Sequence, residues 1–301
     1  VLYLVSQTNN LLVKQILQLH RSFLFEHTGI KQLAGYLLFV FFICLLNYHS
    51  PLSAWQHSGA TVIFFGYFLL FVMALVYGFI IENIFRLQKT GILLLATALL
   101  FACKIVFPAN WLCSLWFDGE AALLWTPVVY WLGNAVFITF CVGVIYYIKE
   151  KRFGLYGFRK LKQSGMYCFF ILLMVPLLLL AAQQNDFQQV YPKAQVLGSG
   201  AAFAQYAVFE LAYAVDFFTI ELFFRGFLVF ALGRYFGVKC ILPVALFYFT
   251  IHLGKPMAEA ISSFFGGAVL GLIAYNTKSI WGGWMMHVSI ALLMELFGFI
   301  F

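Results

Sequence analysis

Residues 60–81 read ATVIFFGYFLLFVMALVYGFII, 22 positions without a single charged side chain. About 20 apolar residues suffice for a helix to cross a bilayer, whereas a transmembrane strand needs only about ten, alternating in polarity. This run is long and does not alternate, so it reads as a transmembrane helix and excludes a β-barrel. Eight further apolar segments are predicted as spans, at 33–47, 90–107, 128–148, 166–182, 201–232, 240–253, 256–275 and 280–301. The whole chain agrees with this pattern, being 64% apolar and 20% aromatic but only 10% charged over 301 residues. Eighteen basic and 11 acidic side chains cannot coat a soluble core of that size, so the outer surface must face lipid. The expected fold class is all-α, a polytopic membrane protein of about nine helices.

The net charge of +7 raises the question of nucleic acid. The basic residues, however, are scattered over loops between apolar runs and form no groove-binding motif, so no nucleic-acid partner is expected and the bilayer is. They report topology instead. Lys14, Arg21, Lys31, Arg86, Lys89, the run from Lys149 to Lys162, Arg234, Lys239 and Lys278 fall on one side of the nine-span arrangement. Lys193 and Lys255 fall on the other. The positive-inside bias then puts the N-terminus in the cytoplasm, in a plasma membrane of the bacterial inner-membrane kind. Lys104 and Glu82 lie near span ends, within snorkelling reach of water.

Ahead of the first span, Leu12, Ile16, Leu19 and Phe23 share one helical stripe, which suits a helix lying in the membrane interface. The domain reading is therefore an interfacial segment at 1–32, a four-helix block at 33–164 and a functional core at 165–301. The polar stretch 183–200 reads as an external loop. Six cysteines sit mostly in apolar runs without C-x-x-C or zinc spacing, which points to packing. No signal-peptide pattern opens the chain, and no repeat stands out.

The core block holds the costly residues, since each ionised group at the bilayer centre costs at least about 2.5–3.5 kcal/mol. Glu221 and Arg225 are four apart, the spacing of an intrahelical ion pair. At a rise of about 1.5 Å per residue, Glu221, His252 and His287 lie roughly 16, 18 and 12 Å from the cytoplasmic ends of their spans. Three polar residues from three spans thus share a layer, and Asp216, Glu259 and Glu295 form a second one about 24 Å deep. The first layer supports two chemistries. Glu221, His252 and His287 could ligate a zinc ion with an open position for water, although no H-E-x-x-H spacing is present. Alternatively a Glu/His pair activates water directly, and the other His donates to the developing oxyanion. Gly266, Gly267, Ala268 and Gly271 suggest a small-residue packing face, and Gly254 with Pro256 a helix stop after His252.

At Ile220-Glu221-Leu222-Phe223-Phe224-Arg225, Tyr248-Phe249-Thr250-Ile251-His252 and His287-Val288-Ser289-Ile290-Ala291 the chain resembles the CAAX protease and bacteriocin-processing family of intramembrane endopeptidases, which includes the type II CAAX-prenyl endopeptidases. Phe224-Arg225-Gly226, Ser279-Ile280-Trp281 and Phe153-Gly154-Leu155 add to the likeness, which covers about 166–301. The resemblance implies water activation by an acid and the His of the second motif, here His252, with oxyanion stabilisation by the last His, here His287, and an Asn. Two positions depart from it. Ile220 stands where the family has the first Glu of its pair, and Ala291 where it has the Asn.

Glu221 and His252 are expected to activate the water together, with Glu221 oriented by Arg225 and with Asp216, Glu259 and Glu295 as supporting acids that could replace the missing group. The implied activity is hydrolysis of peptide bonds in membrane-associated or prenylated substrates. Two rivals accompany it: a catalytically inactive scaffold or self-immunity protein that keeps the fold, and a proton-coupled transporter.

Overall fold

The computed structural model describes residues 29–85, 87–150, 156–161, 164–198 and 200–301. The interfacial stripe at 12–23, most of the 1–32 segment and the Phe153-Gly154-Leu155 feature lie outside the described residues. Of the described residues 84% are helical, and no strand forms among them. The helices are α1 (Ile30–His49), α2 (Ala60–Ile81), α3 (Leu87–Ile105), α4 (Ala109–Ser114), α5 (Gly119–Ile145), α6 (Ser164–Ala181), α7 (Phe203–Glu221), α8 (Phe230–Phe236), α9 (Ile241–Thr250), α10 (Met257–Thr277) and α11 (Trp281–Ile300). A π-helical stretch, Leu222–Val229, joins α7 to α8 without a break. The uncharged run at 60–81 is α2, residue for residue.

Among the described residues six helices are long and apolar enough to cross a membrane, or seven if the bent pair 165–181 and 185–197 counts as one span. The expected count of nine is not confirmed, although each of the nine segments is helical. The run 201–232 carries Glu210, Asp216, Glu221 and Arg225, too many charges for a lipid-exposed span. The segment 240–253 yields only the ten residues of α9, all of them buried. Ten residues rise about 15 Å, half the hydrocarbon thickness. α9 and the stretch 219–229 are buried inside the bundle, where protein rather than lipid surrounds them. The polar stretch after α6 turns back at 96° over the bundle instead of leaving it as an open loop.

Apolar side chains on the outside, such as Ile92, Leu38 and Val136, are mostly exposed and face the acyl region. Helix association in lipid gains little from apolar burial, so close approach of backbones and ring packing must hold the bundle together. Gly78 of α2 lies against Pro243 of α9, where a Cβ would come within 2.8 Å of the proline Cα. Gly267 and Gly271 of α10 lie against Tyr248, Ala245 and Ile241 of α9, as expected of a small-residue face. Gly266 does not belong to that face, because it looks into open space. Phe101 of α3 sits 4.9 Å from Phe223 and 5.2 Å from Phe224, and Phe71 of α2 sits 4.7 Å from Phe247. The core therefore runs across residue 165 and joins α2 and α3 to α9 and the π segment. Prolines at 127 and 176 stay inside α5 and α6, tolerated where neighbouring helices satisfy the freed carbonyls.

Candidate active site

Glu221 ends α7, and the π segment begins at the next residue, a widening of the helix that recurs at functional sites. Its carboxylate has no exposure. Arg225 Nη1 approaches Glu221 Oε1 to 3.0 Å, and His287 Nδ1 approaches the same oxygen to 2.8 Å. Neither approach has hydrogen-bond alignment, so charge holds the carboxylate in place. Room for it comes from Gly283 in the first turn of α11, since a Cβ there would overlap Glu221 Oε2. Gly282 makes way in the same manner for the Tyr167 ring.

The next link is Tyr248 of α9. Its hydroxyl lies 2.8 Å from His287 Nε2, and its ring carries the Arg225 guanidinium 4.3 Å above the centroid, a cation–π contact. Its backbone carbonyl accepts from His252 Nδ1–H at 2.9 Å. Tyr248 thus connects the two motif histidines, His252 through its main chain and His287 through its side chain. Phe217, one turn before Glu221, stacks on the His287 ring at 5.8 Å. The sequence brings this about through helical spacing: 217, 221 and 225 share one face of the α7 and π unit, and 248 and 252 share one face of α9.

The acids expected as a second layer are dispersed among structural partners. Asp216 is paired with Lys104 at 2.8 and 3.2 Å, and it also accepts from Thr219 Oγ1 at 3.2 Å. Lys104 does not snorkel to water: it is buried between α3, α5 and α7, 5.5 Å over the Tyr130 ring. Glu82 is likewise buried and accepts from Tyr36 at 3.3 Å. Glu259 takes the Lys255 ammonium at 2.6 Å and the Tyr191 hydroxyl at 3.0 Å. Glu295 accepts from the backbone N–H groups of Lys193 and Ala194 at 2.8 and 3.0 Å. Glu259 and Glu295 therefore tie the returning stretch after α6 onto α10 and α11.

The two positions that depart from the family pattern are filled by packing. Ile220 is buried in the main apolar cluster. Ala291 is buried against Leu124, Val128 and Trp131 of α5 and Phe209 and Tyr213 of α7.

Glu221, His252 and His287 do not converge as a zinc-ligand set. Both ring nitrogens of His287 face protein partners, and His252 Nδ1 is committed to a carbonyl. No group of three or more His, Cys, Asp or Glu is arranged to hold a metal ion among the described residues.

The described residues thus form a membrane-embedded helical bundle with a buried Glu–Arg–His–Tyr–His chain. The family model described as "Type II CAAX prenyl endopeptidase Rce1-like" matches residues 202–293, which contain Glu221, Arg225, His252 and His287. The resemblance drawn from the motifs is thereby borne out for that region. No curated protein and no solved structure matches the chain.

Sequence reasoning missed Tyr248, Lys104, Tyr191 and Gly283. Tyr248 carried a usable signal, a hydroxyl one helical turn before His252 on an apolar face. Gly282-Gly283 carried another, two glycines in the first turn of a helix. Lys104 and Tyr191 had none, because their partners are 112 and 68 residues away.

Proposed function

We propose that the chain is an intramembrane endopeptidase for membrane-associated or prenylated polypeptides, in which His252 activates the water. The observation that carries this reading is the bond from His252 Nδ1–H to the Tyr248 carbonyl. It fixes the tautomer, so that Nε2 carries the lone pair, and Nε2 makes no hydrogen bond among the described residues. A water held there gives its proton to Nε2, its oxygen attacks the scissile carbonyl, and the imidazolium returns the proton to the leaving amine. Glu221 is reassigned from base to positioning residue: buried and held between Arg225 and His287, it fixes His287, which in turn fixes Tyr248. The protein resides in the bilayer with its N-terminus in the cytoplasm, takes its substrate from the membrane and has no nucleic-acid partner.

One observation favours a second reading, a fold-retaining scaffold or self-immunity protein without hydrolysis. Positions 220 and 291, where the family has groups that act on the reacting atoms, are packed with apolar neighbours. The two readings part in one assay. Protein reconstituted in vesicles is incubated with a panel of prenylated and transmembrane peptides, with and without a strong chelator, and the products are read by mass spectrometry. The endopeptidase reading expects cleavage at defined bonds, unchanged by chelation. Cleavage that chelation abolishes and zinc restores would return the reaction to a metal. No cleavage of any peptide, by protein of intact fold, would hand the chain to the scaffold reading.

A further inference from the structure

The turn that joins α10 to α11 holds a second feature, at the end of α11 remote from Glu295. Lys278 stands there in the left-handed backbone region, with φ 56°, which residues other than glycine seldom adopt. Residues 157–159 are clamped against this turn. The Ile280 N–H donates to the Gly157 carbonyl at 3.0 Å, the Ser279 hydroxyl donates to the Arg159 carbonyl at 2.9 Å, and Phe158 forms an isolated antiparallel bridge with Ser279.

The clamp gathers two exposed cations, Arg159 and Lys278. Partial burial, and then the proximity of Arg159, push the Lys278 ammonium below its ordinary range. Neither cation is paired with a carboxylate among the described residues. Lys278 rests instead on aromatic faces, 3.9 Å above the Tyr275 ring and 5.6 Å from the Phe230 ring.

Location decides which anion these charges serve. α10 and α11 are both long and apolar enough to cross the membrane, so the turn between them lies at the boundary of lipid and water. Phe158, 42% exposed, meets the Trp281 ring edge-on at 5.8 Å beside the cations. A free phosphate ion would make no use of that aromatic pair, whereas a phospholipid sets its glycerol and upper acyl carbons at this level, directly below its phosphate.

We propose that Arg159 and Lys278, flanked by Phe158 and Trp281, bind the headgroup phosphate of an anionic phospholipid in the adjoining leaflet. The lipid phosphate sets its one negative charge against two cations that the clamp holds together, and it braces the start of the helix that carries Gly283 and His287. This site is independent of the cleavage reading and is tested without a peptide substrate.

The protein is reconstituted in phosphatidylcholine alone or mixed with phosphatidylglycerol. Lipid retained after detergent extraction is counted by native mass spectrometry, beside thermal unfolding. Phosphatidylglycerol is expected to be retained selectively and to raise the unfolding temperature. Arg159→Gln with Lys278→Gln should weaken retention about 30-fold, roughly five-fold for each basic residue near an anionic surface. Arg159→Lys with Lys278→Arg should keep most of it, and neither pair touches the cleavage site. Retention unchanged in the glutamine pair would overturn the site. So would an equal rise in unfolding temperature from inorganic phosphate added to phosphatidylcholine vesicles, which would make it a free-anion site and not a lipid one.

Discussion

Arg225→Ala is expected to lower stability by about 3–5 kcal/mol, the usual result of removing one member of a buried ion pair. Glu221 has no exposure and lies between Arg225 and His287, so loss of the guanidinium leaves its carboxylate without its main counterion in a medium that cannot solvate it. The Tyr248 ring loses its cation in the same change. Thermal unfolding in micelles, read by circular dichroism, measures the shift. Substitution of both partners, Glu221→Gln with Arg225→Met, should recover much of the loss, because no charge is then left buried and unpaired. If Arg225→Ala unfolds at the wild-type temperature, the pair does not hold α7 to the π segment and α11.

A gain of activity is expected from Ile220→Glu combined with Ala291→Asn. The first restores an acid on the α7 face that the family uses for water activation, a contribution of about 10²- to 10⁴-fold for a general base. The second restores an amide donor, and removal of one such oxyanion donor costs about 10²- to 10³-fold elsewhere. Cleavage in the double variant should therefore exceed wild type by at least about 100-fold in single-turnover assays. The gain comes with some loss of stability, since the introduced carboxylate would enter the apolar cluster that now holds Ile220. If activity appears in the double variant against a wild type that cleaves nothing, the scaffold reading holds: the fold and its supporting residues have outlived the chemistry.

The helices were legible in the sequence because hydropathy acts locally. The 60–81 run is α2 without adjustment, and each of the other eight segments holds a helix. Which helices cross the membrane was less legible, because that depends on whether lipid or protein surrounds each one. α9 reads as apolar as any span, yet it is ten residues long and wholly enclosed. Spacing along one helix was sufficient for the Glu221–Arg225 pair. Partners on different helices were not readable, and this affected every acid in the second layer. Asp216 found Lys104 on α3, and Glu295 found the backbone of residues 193 and 194. Depth estimates placed these acids near one level but could not tell which neighbour each would meet. Depth also put Glu221, His252 and His287 in a single layer, whereas the structure links them in series, with Tyr248 between the two histidines.

In the proposed reaction proton transfer rests on His252, and Glu221 serves position alone. The deciding measurement is the initial rate of cleavage of one membrane peptide, compared between wild type, His252→Ala and Glu221→Gln in the same vesicles. A fall of about 10²- to 10⁴-fold is expected for His252→Ala, the contribution of a general base, and a much smaller one for Glu221→Gln, which keeps a polar side chain of the same shape between Arg225 and His287. A His252→Ala variant that cleaves at the wild-type rate while Glu221→Gln is inert would contradict that assignment and return the base to Glu221.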